Sequence, residues 1–195
     1  MMLPSILSLS KQLIRQALQP GNAAVDATVG NGHDTLFLAE TVGAAGRVYG
    51  FDIQAEALQA ARRRLEAANL EGRVTLFKES HHRMAECLPA EVHGRIRAVM
   101  FNLGYLPGGD HAIITRPETT VPALEAASRL LAPGGMMSIV LYTGHPGGTE
   151  ECEAVLRWAK ALSPRRFQTM WVQLPNRNHA PSLLAVEKRR EEPET

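Results

Sequence analysis

The chain has 195 residues, 45% hydrophobic and 21% charged, the proportions of one globular domain rather than a disordered or fibrous chain. Lys and Arg number 21 against 20 Asp and Glu, a formal net charge of +1, so nucleic-acid binding has to come from a local patch rather than a cationic coat. Two cysteines, Cys87 and Cys152, exclude a disulfide framework and a four-cysteine zinc site; they read as reduced thiols packed on helices.

Residues 1–10 carry no basic segment ahead of an apolar run, and no stretch approaches the roughly 18 apolar residues of a membrane span. The expectation is a soluble cytoplasmic protein with one domain over residues 1–188. Residues 1–20 supply an N-terminal helix, and residues 189–195 form a charged tail.

The elements alternate in chain order. Residues 5–18 read as a helix stopped by Pro20-Gly21. A strand follows over 23–27, then a glycine turn that opens a second helix. Residues 47–51 form the next strand. Ala57, Leu58, Ala61, Leu65 and Ala68 then make one apolar stripe, with Arg62, Arg63 and Arg64 mostly off it. Strands are expected over 74–77, 96–101 and 136–141. The helix before the last of these starts near Thr119 or Thr120 and ends before Pro133-Gly134-Gly135. A helix over 152–162 is stopped by Ser163-Pro164. Strands over 167–174 and 183–187 have only residues 175–182 between them, so they pair as an antiparallel hairpin. The whole reads as an α/β fold, mostly parallel, with helices on both faces.

The chemistry concentrates at strand ends. In Asp26-Ala27-Thr28-Val29-Gly30-Asn31-Gly32-His33-Asp34-Thr35, glycines permit close backbone approach to a ligand, and the helix start offers free N–H groups. Asp52 ends the next strand, 22 residues after Gly30, where a carboxylate can accept both hydroxyls of a ribose. Together these point to a nucleoside cofactor. A dinucleotide fingerprint needs a third Gly or Ala where this chain has Thr35, and polar side chains crowd the turn. An adenosine cofactor without phosphates fits better, and S-adenosyl-L-methionine is the expected one, with Asn31 among the groups meeting its amino acid end. A third segment, Asn102-Leu103-Gly104-Tyr105-Leu106-Pro107-Gly108-Gly109-Asp110, follows the fourth strand. There the Asn102 side-chain oxygen and a turn carbonyl, of Leu103 or Gly104, can accept the N–H groups of a primary amine. Tyr105 can stack on a planar base.

These strings, with Phe51-Asp52-Ile53-Gln54, Ser80-His81 and Gly144-His145-Pro146, resemble the small class I methyltransferase family first described as rRNA methylases, over nearly the whole chain. Members of that family act as tRNA 5-aminomethyl-2-thiouridine methyltransferases at the wobble position. The resemblance implies a Rossmann-like, seven-stranded sheet with one antiparallel strand, and a homodimer. It implies conversion of 5-aminomethyl-2-thiouridine to its 5-methylaminomethyl form in the anticodon loop of tRNA. It also implies cofactor contacts from Asn31, Asp52, Gln54, Ser80 and His81, and the residues themselves add Gly30, Gly32 and Asn102 to that set. Asn102 and Tyr105 would orient the amine and its base, with Asp26 or His145 as candidate proton acceptors.

Seven histidines invite a metal hypothesis, but His81-His82 is an adjacent pair without assisting cysteines, and no metal is expected. Asn176, Asn178 and Pro181 lie in the terminal hairpin turn and flank the pocket or shape the turn. Candidate phosphate contacts are Lys11, Arg15, Arg62 to Arg64, Arg157, Lys160, Arg165 and Arg166. The alternatives are methylation of rRNA or a small-molecule amine and, from another class, an NAD-dependent oxidoreductase or a non-catalytic nucleotide-binding module.

Overall fold

A computed structural model describes residues 2–106, 108 and 113–190. Pro107, Gly109 and Asp110 of the string after the fourth strand lie outside the described residues, as does the tail from 191. The elements run α1 (Ile6–Ala17), β1 (Ala23–Asp26), α2 (His33–Thr41), β2 (Arg47–Phe51), α3 (Ala55–Ala67), β3 (Val74–Phe77) and α4 (Met84–Cys87). Then come β4 (Ile96–Leu103), α5 (Pro117–Leu130), β5 (Leu131–Leu141), α6 (Gly148–Ala161), β6 (Phe167–Val172) and β7 (Ser182–Lys188).

One seven-stranded sheet has the order β3-β2-β1-β4-β5-β7-β6. β1 to β5 pair in parallel, and β7 is antiparallel to both β5 and β6. Alternation along the strands sorts the two faces. Ala24, Val48, Ala98 and Met100 pack under Ile14 of α1, Phe37 and Leu38 of α2 and Leu65 of α3. Their neighbours Val25, Tyr49, Val99 and Phe101 face the other way, onto Met84 of α4, Ala123 and Ala127 of α5 and Val155 of α6. Strand order reverses between β1 and β4, and a crevice at such a switch point, outside the carboxyl ends of the strands, is where α/β folds hold ligands.

Several boundaries differ from the sequence expectation. β4 continues to Leu103 because Asn102 and Leu103 pair with Val140 and Leu141, so Asn102 lies inside the strand rather than after it. β5 starts at Leu131, paired with Ile96; the register then jumps to Ala98 opposite Met136, and Pro133-Gly134-Gly135 forms a bulge within the strand. α6 begins at Gly148, ahead of Cys152, and β6 ends at Val172. Both cysteines are unbridged on helices, Cys87 in α4 and Cys152 in α6.

Candidate active site

The turn after β1 is shaped by glycine where nothing larger fits. Gly32 has φ +76°, and a Cβ there would lie 2.7 Å from Cα of Ala61 in α3. Its N–H donates to the Val29 carbonyl at 2.8 Å, which closes the turn just before α2. Asp52 ties this turn to β2. Its Oδ2 accepts the Gly30 N–H and its Oδ1 the Gln54 N–H, both at 2.9 Å. Burial pushes the Asp52 carboxyl up, against the pull of those backbone donors. An ionised carboxylate has about four lone-pair sites, so acceptor capacity remains for ligand hydroxyls.

Asp26 lies beneath the turn and is not brought to the open rim. It is fully buried; Thr35 Oγ1 donates to one oxygen at 2.6 Å and the Thr28 N–H to the other at 3.2 Å. Burial first, then the nearby Asp34 charge, push its carboxyl up to about 7. Enclosure leaves it an anchor for the turn instead of the expected acceptor of a substrate proton. Asn31 is half-buried, and its carbonyl accepts from Arg64 Nε at 2.9 Å. Gln54 is the half-buried N-cap of α3, with no side-chain cap bond.

Beyond β3, Ser80 stands at the N-cap of a short 3₁₀ turn without capping it. Its Oγ instead meets Nδ1 of His82 at 2.8 Å. His81 is buried and stands edge-on to Phe101, ring centroids 5.8 Å apart. Its Nδ1 lies 3.3 Å from the Ala27 carbonyl, which can only accept, so Nδ1 carries the proton. Burial drives the ring down to about 4, so it is neutral near pH 7, and its buried Nε2 has no partner among the described residues.

On the β4–β5 side, the Asn102 N–H donates to Thr28 Oγ1 at 2.7 Å, and the Asn102 Nδ2 donates to Asp34 Oδ2. Its Oδ1 is buried and has no partner among the described residues. Tyr105, 41% exposed, stands edge-on to His145 with centroids 5.9 Å apart. His145 Nδ1 lies 3.0 Å from the Pro146 carbonyl, which leaves the lone pair on its buried Nε2, which has no partner among the described residues. Of the two turn carbonyls considered as the second amine acceptor, that of Gly104 already takes the Thr115 N–H at 2.8 Å.

Glu151 was not singled out by sequence, and it braces this turn. It is 2% exposed, accepts Thr120 Oγ1 at 2.6 Å and Thr115 Oγ1 at 2.7 Å, and Thr115 Oγ1 in turn accepts the Gly104 N–H at 2.8 Å. Its position in the first turn of α6 is an ordinary one for a carboxylate, so sequence alone offers no signal of burial.

The terminal hairpin turn reaches this edge through His179, whose Cβ lies 3.6 Å from where a Gly144 side chain would start. Asn176 and Asn178 are exposed and Pro181 is half-buried. The candidate phosphate contacts divide. Lys11 is paired with Asp34 at 2.9 Å, Arg15 stacks over Phe37, and Arg157 reaches Glu153 at 3.6 Å. Arg63 and Arg64 line a groove of about 610 Å³ with Asn31 and His33, beside the glycine turn. Lys160 lies in the last turn of α6, and Arg165 and Arg166 fall between α6 and β6, at the end of the helix away from the strand end where it starts. Among the described residues no group of three His, Cys, Asp or Glu side chains is placed to hold a metal, and no helix is long and apolar enough to cross a membrane.

Carboxylate, neutral imidazole, amide oxygen and open backbone therefore converge on one rim. The unpartnered buried atoms of His81 and Asn102 ask for polar ligand groups, and the set fits an adenosyl amino acid. A family model described as "Putative rRNA methylase" matches residues 48–188. The chain belongs to this family. A curated Arabidopsis thaliana relative, "tRNA (mnm(5)s(2)U34)-methyltransferase, chloroplastic", is 42% identical over 182 residues, covering 89% of this chain; the chain spans 66% of that relative's length. A crystal structure of a "putative rRNA-methylase" from Clostridium thermocellum is 43% identical, covers 96% of this chain and 100% of its own, and superposes with a TM-score of 0.92. A "putative methyltransferase" from Streptococcus mutans, solved in complex with SAH, is 36% identical, covers 96% of this chain and 99% of its own, and superposes with a TM-score of 0.86. The protein is an S-adenosylmethionine-dependent methyltransferase, and the oxidoreductase and non-catalytic alternatives fall away.

Proposed function

We propose that this methyltransferase methylates the exocyclic amine of 5-aminomethyl-2-thiouridine at the wobble position of tRNA. The observation that carries the reading is the buried Asn102 Oδ1 beside the glycine turn, which has no partner among the described residues. A buried acceptor calls for a donor, and an amine substrate supplies one. The 42% identity to the Arabidopsis thaliana wobble-uridine methyltransferase supports the choice of amine.

Bound S-adenosylmethionine supplies a methyl group already activated on sulfur. The protein's share is orientation and water exclusion. Gly30, Asn31, Gly32 and Asp52 form the cofactor cradle, with Gln54, Ser80 and His81 along its β2–β3 side. Asn102 Oδ1 accepts one amine N–H and so aims the nitrogen lone pair. Tyr105 presents a partly exposed ring to the base, held edge-on by His145. His145 Nε2 carries a lone pair and receives the proton released on transfer, or passes it to water; Asp26 is too enclosed to do so.

Arg63, Arg64 and His33 beside Asn31 form the phosphate-facing surface for an anticodon loop with its base splayed outward. A homodimer is part of this reading: edge strand β6 leaves Met170 and Trp171 46% and 44% exposed. A cytoplasmic site of action goes with it.

The test is incubation of purified protein with labelled S-adenosylmethionine and tRNA from cells lacking this activity, followed by nucleoside mass spectrometry. Methyl transfer onto 5-aminomethyl-2-thiouridine is the expected result. Methylation of rRNA instead would favour the second reading, to which the family description points.

A further inference from the structure

We propose that Asp34, clamped by Lys11 of α1, is a positioning residue that locks the Asn102 amide with its Oδ1 facing the transfer site. This rests on the reading of Asn102 given above. Three contacts form the relay. Lys11 Nζ meets Asp34 Oδ1 at 2.9 Å, Asn102 Nδ2 donates to Asp34 Oδ2, and the Asn102 N–H is pinned by Thr28 Oγ1 at 2.7 Å.

The terminal torsion of an asparagine has only a broad, roughly two-fold preference, so its amide needs an external reason to choose a face. An ionised carboxylate supplies one because it only accepts. With Asp34 on one side, the flipped amide would set oxygen against oxygen and turn an NH₂ toward the incoming amine. That NH₂ would donate into the amine's lone pair and mask the nucleophile. The unflipped amide satisfies Asp34 and leaves Oδ1 without a partner among the described residues. Asp34 itself is 8% exposed in the first turn of α2, where the helix dipole favours a negative charge, and Lys11 balances it. The relay therefore joins the N-terminal helix to the reacting centre across three elements, α1, α2 and β4. Lys11, a candidate phosphate contact by sequence, is committed to this pair.

The test is a mutant cycle read with 5-aminomethyl-2-thiouridine tRNA and S-adenosylmethionine. Asp34→Ala is expected to lower kcat about 30- to 300-fold, with cofactor Kd and tRNA KM within about threefold of wild type. Asn102→Ala should lose as much, and the double variant no more than Asn102→Ala alone, because the two act through one atom. Asp34→Asn, which can still accept from Asn102, should recover part of the loss. Losses that multiply in the double variant would overturn the relay, as would an Asp34→Ala enzyme within threefold of wild type while Asn102→Ala is crippled. Full activity of Asn102→Ala would refute the role of Asn102 and the relay with it. If Asp34→Ala does not fold, Lys11→Met is carried through the same cycle with an expected three- to tenfold loss. A readout without RNA is the ¹⁵N-resolved side-chain amide of Asn102, assigned by its disappearance in Asn102→Ala. Its protons should exchange with solvent at least about tenfold faster in Asp34→Ala or Lys11→Met; unchanged exchange in both would overturn the proposal.

Discussion

Replacing Gly32 with alanine tests how the cofactor turn is held against its neighbouring helix. Two costs add at this position. The backbone has φ +76°, a left-handed conformation that costs an L-residue about 1–2 kcal/mol. The new Cβ would also stand 2.7 Å from Cα and 2.8 Å from Cβ of Ala61, inside normal contact with backbone that cannot rotate away. Overpacking of that kind costs about 1–3 kcal/mol. The sum is about 2–5 kcal/mol, or a melting temperature lower by about 4–20 °C in a chain of this size. Gly21→Ala is the control: φ is +89°, but nothing lies within 4 Å of the added atom, so only the backbone term applies. Thermal melts of both variants separate the terms, and cofactor titration of the folded Gly32→Ala protein reports whether the displaced turn still binds. A Gly32→Ala melt no lower than that of Gly21→Ala would refute the packing argument.

Further expectations follow from the other anchors. Asp52→Ala removes the acceptor that holds the Gly30 and Gln54 N–H groups and that the proposal sets against the ribose; cofactor Kd should rise about 10- to 100-fold, measured by calorimetry, and an unchanged Kd would contradict the assignment. His81 is neutral when folded, with its value lowered to about 4, so the unfolded chain binds its proton first as pH falls. Its contribution to stability is whole above about 6.5 and is lost between about 6.5 and 4, by up to about 3 kcal/mol. The stability difference between wild type and His81→Gln should carry that slope in denaturant melts; a flat difference across this window would show that the ring is not shielded. Glu151→Ala strands the Thr115 and Thr120 hydroxyls and should cost about 1–3 kcal/mol together with a fall in kcat, whereas Glu151→Gln should be milder. Equal stability for both variants would mean that the carboxyl does not organise the turn.

The parts of the site that sequence shows are those whose partners lie in one strand–turn–helix unit or at a familiar separation. Gly30 and Asp52 stand 22 residues apart, and the structure joins them by a hydrogen bond. The terminal hairpin follows from a connection too short for a crossover helix, and the register of β6 on β7 agrees. What sequence hides is direction and long-range pairing. Asp26 reads as a residue at a strand end near the cofactor, but its place in the strand carries it under the turn, where Thr35 and Thr28 enclose it. Lys11 and Asp34 come from separate helices, and Asp34 meets Asn102 across 68 residues. Glu151 reaches Thr115 and Thr120 across 36 and 31 residues. No periodicity or motif spacing encodes such pairs. The extension of β4 through Asn102 is hidden for a related reason: asparagine is a poor strand former, and its place in the ladder comes from pairing with Val140 of β5.

Methyl delivery from this rim to the amine of a wobble uridine has one decisive assay. The most direct measurement supplies the purified protein with labelled S-adenosylmethionine and three RNAs in parallel: tRNA carrying 5-aminomethyl-2-thiouridine, the same tRNA without the aminomethyl group, and rRNA. Nucleoside mass spectrometry then locates the label. One product is expected, the N-methylated aminomethyl uridine, in the first RNA alone. Label in rRNA or in the tRNA without the amine would contradict it, as would cofactor binding with no transfer to the first RNA.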